Sequence, residues 1–133
     1  MTACFYSGDA GMARKPAGGL ETGTNYDMIK REMGDMMVND TIYAPATPSG
    51  GAIAVIRISG PDAHNVLERV FRSAAELKHA VMRHGGIYRN GVQVDDVMAV
   101  AFDEPRSYTG ENMAEIYCHG GAASLSGVLA AIA

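Results

Sequence analysis

Two opposite charges inside apolar segments are the residues best suited to hold a ligand. Arg57 lies within the mainly apolar, β-branched run from Ala52 to Gly60, and Glu115 lies within a similar run from Met113 to Cys118. Arginine and glutamate are almost never fully buried without a partner. Two alternatives follow from the residue types. Arg57 and Glu115 form an ion pair that only completes the fold, or they hold a polar ligand over the face of a sheet.

The chemistry of these two side chains restricts the kind of ligand. A guanidinium favours a planar partner with two acceptors, such as a carboxylate. A carboxylate suits the paired N–H donors of a heterocycle. Gly50 and Gly51 precede the run that contains Arg57, and glycines allow a backbone to come close to another group.

Cys118 and His119 are a second candidate pair, as nucleophile and base. Adjacent residues of a strand point to opposite faces, so direct activation of the thiol is geometrically poor. A packed cysteine and a turn-capping histidine are the favoured interpretation. Gly120 and Gly121 could place an anion at a helix N-terminus, but a strand-to-helix turn often needs glycine anyway. Three other histidines have no metal-ligand spacing and are expected on the surface: His64, His79 and His84.

Composition excludes several classes of function. The 133 residues carry a formal net charge of −4, which argues against a surface whose main role is to bind nucleic acid. No apolar run is long enough for a membrane span, and no signal peptide is evident. The two cysteines, Cys4 and Cys118, lack metal-ligand spacing and favour a reduced cytosolic setting. No Walker A pattern is present, so no P-loop nucleotide site is expected.

The chain divides into two parts. Residues 1–36 are rich in glycine and have no sustained apolar period, which predicts a disordered or non-native N-terminal extension. Residues 37–133 form the predicted domain. Apolar patterns predict strands over 41–47, 52–60, 82–89, 92–102 and 113–118, and helices over 61–72 and from 121 to 133. Asn90-Gly91 predicts a tight hairpin. The order of elements predicts an α+β fold in which helices cover one face of a mixed or antiparallel sheet.

Four segments, in this order and spacing, resemble the N-terminal domain of the tRNA-modification GTPases of the MnmE (TrmE) family. They are DTI at 40–42, ATPSGGAIAVIRISGP at 46–61, SYTGE at 107–111 and EIYCHGG at 115–121. The resemblance implies a folate-binding module similar to the folate domain of glycine-cleavage T-proteins. It places the folate-contacting arginine on Arg57 and the folate-contacting glutamate on Glu115, with Gly50 and Gly51 near the ligand.

The resemblance also implies cofactors and partners. The ligand would be a tetrahydrofolate derivative, in the 5-formyl or 5,10-methylene form. The domain would form a homodimer, and the full-length cytoplasmic protein would work with the flavoprotein MnmG on the wobble uridine of tRNA. The resemblance further implies that the GTPase and helical domains and the last part of the folate domain are not included in this sequence. We expect no catalytic residue, no metal ligand and no nucleotide site in it.

One departure from the family pattern concerns the glycine loop, which is one residue shorter than usual and reads PSGG at 48–51. Two other functions stay open at this point. One is a structural or dimerisation fragment without a ligand of its own, and the other is a small Cys/His enzyme.

Overall fold

The structure is a computed structural model that describes the backbone of Cys4–Tyr6 and all of residues 40–133. The described residues contain seven strands and two helices. In chain order these are β1 (Cys4–Tyr6), β2 (Thr41–Pro45), β3 (Ile53–Ser59), α1 (Ala63–Val70), β4 (Phe71–Arg72), β5 (Arg83–Arg89), β6 (Val92–Phe102), β7 (Met113–His119) and α2 (Ala122–Ile132). The predicted elements are therefore all present, with ends that move by a few residues.

The seven strands form one sheet in the order β1-β2-β3-β7-β6-β5-β4, and all neighbouring strands run antiparallel. The predicted α+β fold is confirmed. β7 occupies the centre, so the segment that carries Glu115 has a strand on each side. β5 and β6 meet at a two-residue turn where Asn90 and Gly91 both have positive φ, as the sequence predicted.

Both helices pack on the same face of the sheet. Every second residue of β3 and β7 points to that face and is buried, whereas the intervening residues point to the other. α1 buries the stripe predicted from its period, and α2 buries a second stripe beside it. The buried helix residues are Ala63, Val66, Leu67, Val70, Leu125, Val128 and Ile132. No helix of residues 40–133 lies on the opposite sheet face, which we call the open face.

The first helix is shorter than predicted. It ends at Val70, and the next two residues form β4, which pairs with β5 through Phe71–Ile87 and Arg72–Gly86. Phe71 is already extended, with φ −93° and ψ 136°. A Cβ on Gly85 would lie 2.2 Å from the carbonyl oxygen of Arg72, so only glycine lets this strand approach. The apolar period continues through Phe71 because this strand residue is buried in the same core as the helix residues before it.

β1 lies inside the segment predicted to be disordered or non-native, and it pairs with residues 41–43 of β2. The sequence analysis did not predict this strand. The other residues before 40 lie outside the described part of the chain, so the interpretation of 1–36 stays a prediction. In the described residues, neither helix is long and apolar enough to cross a membrane.

Candidate ligand-binding site on the open face

The open face brings the two strand charges directly opposite each other. Arg57 of β3 pairs in register with Glu115 of β7, and Glu115 pairs on its other side with Val100 of β6. Val100 is 4% exposed and the Glu115 side chain is 10% exposed, while 32% of the Arg57 side chain is accessible. The anion is thus buried in the sheet centre, and the cation lies between it and solvent.

The ion pair is held through a single carboxylate oxygen. Arg57 Nε and Nη2 lie 3.0 and 2.7 Å from Glu115 Oε1 and both donate to it. The other oxygen, Oε2, accepts a hydrogen bond of 2.6 Å from the hydroxyl of Tyr117. A carboxylate has about four lone-pair positions. These three bonds leave one position of Glu115 open, on Oε2.

Tyr117 is tied electrostatically to this carboxylate. Its hydrogen bond to Glu115 raises the pKa of Tyr117, and burial and the negative charge of Glu115 raise it further, whereas Arg57 lowers it. The phenol is therefore held in its neutral, donating form. It fixes the orientation of Glu115 and keeps Oε1 directed at the guanidinium.

A loop between β6 and β7 covers one side of the ion pair. The ring of Tyr108 lies over the guanidinium of Arg57, with 4.5 Å from Cζ to the ring centroid. Ser59 Oγ lies 2.7 Å from Thr109 Oγ1 and 2.9 Å from Glu111 Oε2, which ties the loop to the end of β3. Sequence reasoning noted the loop as a family motif but could not predict that it contacts Arg57, because this contact depends on the tertiary fold.

A cavity of about 280 Å³ is lined by Tyr117, the hydrogen-bond partner of Glu115, although Arg57 and Glu115 do not line it themselves. Tyr117 forms one wall of it and Ile53 and Met98 are among its apolar lining, while two histidines, His84 and His119, stand at its polar rim. The open face therefore offers a buried charge pair, an aromatic ring above it and a recess that Tyr117 separates from the pair.

The glycine loop lies at the far end of β3 from Ser59. Gly50 N donates to the carbonyl of Gly120 at 3.3 Å, and a Cβ on Gly120 would lie 1.9 Å from the carbonyl oxygen of Gly51. The two glycine segments thus pack on each other. Ile53, the first residue of β3 after this loop, is four residues from Arg57, or roughly 13 Å along a strand. The structure brings Arg57 and Glu115 together but leaves Gly50 and Gly51 outside their direct contacts.

Cys118 and His119 do not form a nucleophile and base. Cys118 is 2% exposed and packs in the core beneath the helices, whereas 70% of the His119 side chain is accessible. Burial raises the pKa of the Cys118 thiol, and the charge of Asp95 raises it further. A buried thiol with a raised pKa is a poor nucleophile, which removes the Cys/His enzyme from the candidate functions.

Asp95 is a polar centre that sequence reasoning missed. It accepts from His119 Nδ1 at 2.7 Å, from the backbone N–H of His119 at 3.0 Å and of Asp96 at 2.9 Å, and from Ser124 Oγ. Burial raises the pKa of Asp95, but these hydrogen bonds outweigh burial and hold it below its ordinary value of 3.8. The reasoning that identified Glu115, a charged residue inside a predicted strand, could also have identified Asp95.

Asp95, His119 and Ser124 do not form a hydrolytic triad. A serine nucleophile must donate to the histidine, whereas Ser124 and His119 both donate to Asp95. Of the three histidines that were expected on the surface, His84 is exposed and pairs with Asp96, but His64 and His79 are half-buried. His64 Nε2 lies 3.0 Å from the Phe102 carbonyl oxygen, and His79 Nδ1 accepts from the Asp103 N–H, so both are packed beside the end of β6. Among the described residues, no group of three His, Cys, Asp or Glu side chains could hold a metal ion.

The sequence matches known proteins over the whole of this sheet and its helices, β1 excepted. The family model of the GTP-binding protein TrmE N-terminus matches residues 41–133. The chain belongs to the TrmE N-terminal family. The open-face site therefore lies within a TrmE N-terminal domain.

Individual relatives agree with this assignment. The chain is 47% identical over 83 residues to the tRNA modification GTPase MnmE of Thermotoga petrophila, a match of 62% of this chain and 18% of that protein. It is 42% identical over 99 residues to MnmE of Chlamydia abortus, covering 73% and 22%, and 45% identical over 102 residues to MnmE of Nitratidesulfovibrio vulgaris, covering 73% and 21%. The matched part of this chain thus spans about a fifth of the length of these relatives.

Proposed function

We propose that this TrmE N-terminal domain binds a tetrahydrofolate derivative on its open face, with Arg57 and Glu115 as the residues that hold it. The observation that carries the proposal is the partly satisfied ion pair. Glu115 is buried and keeps one acceptor position open, and Arg57 lies at the solvent side of it beneath Tyr108. An ion pair needed only for stability gains little over apolar residues of similar volume, because desolvation offsets the attraction.

The donor and acceptor groups of the site fit the pterin part of a folate. A pterin presents neighbouring N–H groups, and these match a carboxylate acceptor. Oε2 of Glu115 can accept one N–H without rearrangement. A second N–H on Oε1 requires Arg57 to release one of its two bonds, which frees that guanidinium N–H for an acidic or polar group of the ligand. When bound, the folate would supply the one-carbon unit.

Gly50 and Gly51 have a different place in the proposal. They precede Ile53, which lines the cavity and begins β3 at the end away from Ser59. They would therefore meet a distal part of the ligand rather than the pterin. Their backbone is exposed, and Gly50 has a φ of +92° with open space where a Cβ would stand. This is where the shorter loop of this chain would alter ligand contacts.

The role of the whole protein is also a proposal. The matched segments make up about a fifth of tRNA modification GTPases, and we infer that the domain serves as the folate-binding and homodimerisation module of such a protein. MnmG and tRNA would be partners of the full-length, cytoplasmic protein. GTP hydrolysis would require a domain other than this one.

Isothermal titration calorimetry with 5-formyltetrahydrofolate tests the ligand directly. Arg57→Ala and Glu115→Gln should each weaken binding about tenfold or more, since each removes a charge-assisted hydrogen bond. Arg89→Ala and Glu104→Gln are matched controls, because both residues are exposed and outside the site. The 5,10-methylene form, titrated in parallel, distinguishes the two proposed folates.

Two results would reject the folate proposal. The first is no binding of either folate by the wild-type domain, and the second is unchanged affinity in both site variants. A ligand-free dimerisation module is the alternative, favoured by the three bonds that Glu115 already receives within the domain. Sedimentation that gives a stable dimer, combined with an absence of folate binding, would establish this alternative.

A further inference from the structure

The loop over the ion pair is fastened at several points. Because Glu111 can only accept, the hydroxyl of Ser59 donates to its carboxylate and accepts from Thr109. Ser107 Oγ donates to the backbone carbonyl oxygen of Glu111 at 2.5 Å. These bonds fix the loop on both sides of Tyr108. Its ring is therefore presented in a defined position over the site.

The ring that this loop presents is largely unused within the domain. Tyr108 is 81% exposed, and its ring contact is the guanidinium of Arg57. An exposed cation–π contact is weak, and a fastened loop does not need an exposed aromatic ring at its tip. The exposed face of the ring points away from the ion pair, because Arg57 lies against the other face. A flat conjugated ring that bonds to Glu115 would therefore enter between Tyr108 and the ion pair, replace the weak contact with the guanidinium and gain the contact area that aromatic residues provide.

We infer that Tyr108 is the stacking residue of the site, whose ring lies against the planar pyrimidine ring of the pterin once the pterin has entered between Tyr108 and the ion pair and Glu115 holds its N–H groups. This inference rests on the proposed folate function. It assigns to Tyr108 the selection of flat heteroaromatic ligands, whereas Arg57 and Glu115 select their hydrogen-bonding pattern. The hydroxyl of Tyr108 has no part in it.

Substitutions at position 108 separate stacking from other contributions. Tyr108→Phe should keep the affinity for 5-formyltetrahydrofolate within about twofold, and Tyr108→Leu should lower it about tenfold. A fragment without the pterin, p-aminobenzoyl-glutamate, should bind equally to wild type and Tyr108→Leu. Tyr88→Leu is the matched control, since Tyr88 is a partly exposed tyrosine at the β5–β6 hairpin with its hydroxyl bonded to Gln93.

A fluorescent variant gives a second, independent measurement. The chain contains no tryptophan, so Tyr108→Trp introduces a single tryptophan in direct contact with the bound pterin. Its emission should be quenched as 5-formyltetrahydrofolate is added, with the dissociation constant that calorimetry gives. The pterin-free fragment should leave the emission unchanged.

The outcomes separate this inference from the folate proposal. Wild-type binding with equal affinity in Tyr108→Leu, and with unquenched emission in Tyr108→Trp, overturns the stacking role and leaves the folate site in place. Weakened binding in Tyr108→Phe that equals the loss in Tyr108→Leu also overturns it, because the hydroxyl would then be the contact. No binding of 5-formyltetrahydrofolate by the wild type overturns both.

Discussion

Two carboxylates of this sheet are almost equally buried, but they differ in how completely they are hydrogen-bonded. The side chain of Glu115 is 10% exposed and that of Asp95 is 9% exposed. Asp95 receives four hydrogen bonds, two on each oxygen. Glu115 receives three, and two of them come from the head group of a single arginine.

The difference separates a structural carboxylate from one that can take a ligand. A carboxylate whose acceptor positions are all used cannot accept a further hydrogen bond from a ligand. Asp95 is such a group, and its hydrogen bonds join β6 to the end of β7 and to the first turn of α2. Glu115 has an open position and lies on the face that no helix of the described chain covers. The carboxylate that the sequence analysis missed therefore stabilises the fold, and the carboxylate that it found is the one suited to bind.

The largest expected effect is on stability and belongs to Asp95. Asp95→Ala leaves four donors without their acceptor, so the free energy of unfolding should fall by about 3 kcal/mol. Urea unfolding followed by circular dichroism measures this. Asp96→Ala is the control, because the Asp96 side chain is 58% exposed and its partner among the described residues is His84. Exposed pairs contribute about 0–1 kcal/mol. Equal losses in the two variants would contradict the structural role of Asp95.

The next effect appears at acid pH. The pKa of Asp95 in the folded domain lies below the ordinary value of 3.8. Its ionised form therefore contributes stability that is fully present above that value and is lost as the pH falls through the folded pKa. Asp95→Asn should remove this part of the acid dependence, and urea midpoints between about pH 5 and about pH 2 measure it. An unchanged pH profile in the variant would show that other carboxylates control acid unfolding.

The smallest effect sharpens the account of Glu115. Its hydrogen bond raises the pKa of Tyr117, so Glu115→Gln should return that pKa towards 10.0. Phenolate absorbance, followed as the pH is raised through the alkaline range, measures this pKa. The Tyr117→Phe variant shows which part of the signal belongs to Tyr117. Because the neutral phenol is favoured in the folded state, its contribution to stability is lost only as the pH rises through the raised pKa. A Tyr117 titration that is identical with and without the Glu115 charge would mean that the bond is not formed in solution.

The sequence predicted the elements well where the signal is local. Alternation and turn residues located five strands, the hairpin at 90–91 and both helices. β4 was missed because helical spacing cannot detect a strand partner at Gly86 and Ile87, and β1 was missed because three residues in a glycine-rich segment carry no period. These two strands depend on pairing with distant residues.

For the candidate site, the sequence indicated which residues to consider but not how they are arranged. The presence of a charge inside an apolar strand was enough to identify Arg57 and Glu115 from the sequence, and the possibility of their pairing followed from opposite sign. Their direct opposition needs the register of β3 and β7. The positions of Tyr108 and of the glycine loop depend on loop conformation, which sequence patterns do not encode. Whether the residues hold a folate remains a prediction.

The most direct measurement removes the ion pair without leaving a lone charge. Arg57→Met/Glu115→Met replaces both residues by apolar side chains of comparable size, and the free energy of unfolding should stay within about 1 kcal/mol of the wild type. Calorimetry with 5-formyltetrahydrofolate should then give no binding to a domain that is still folded. Wild-type affinity in this double variant would contradict the central claim that the pair is there to hold the ligand.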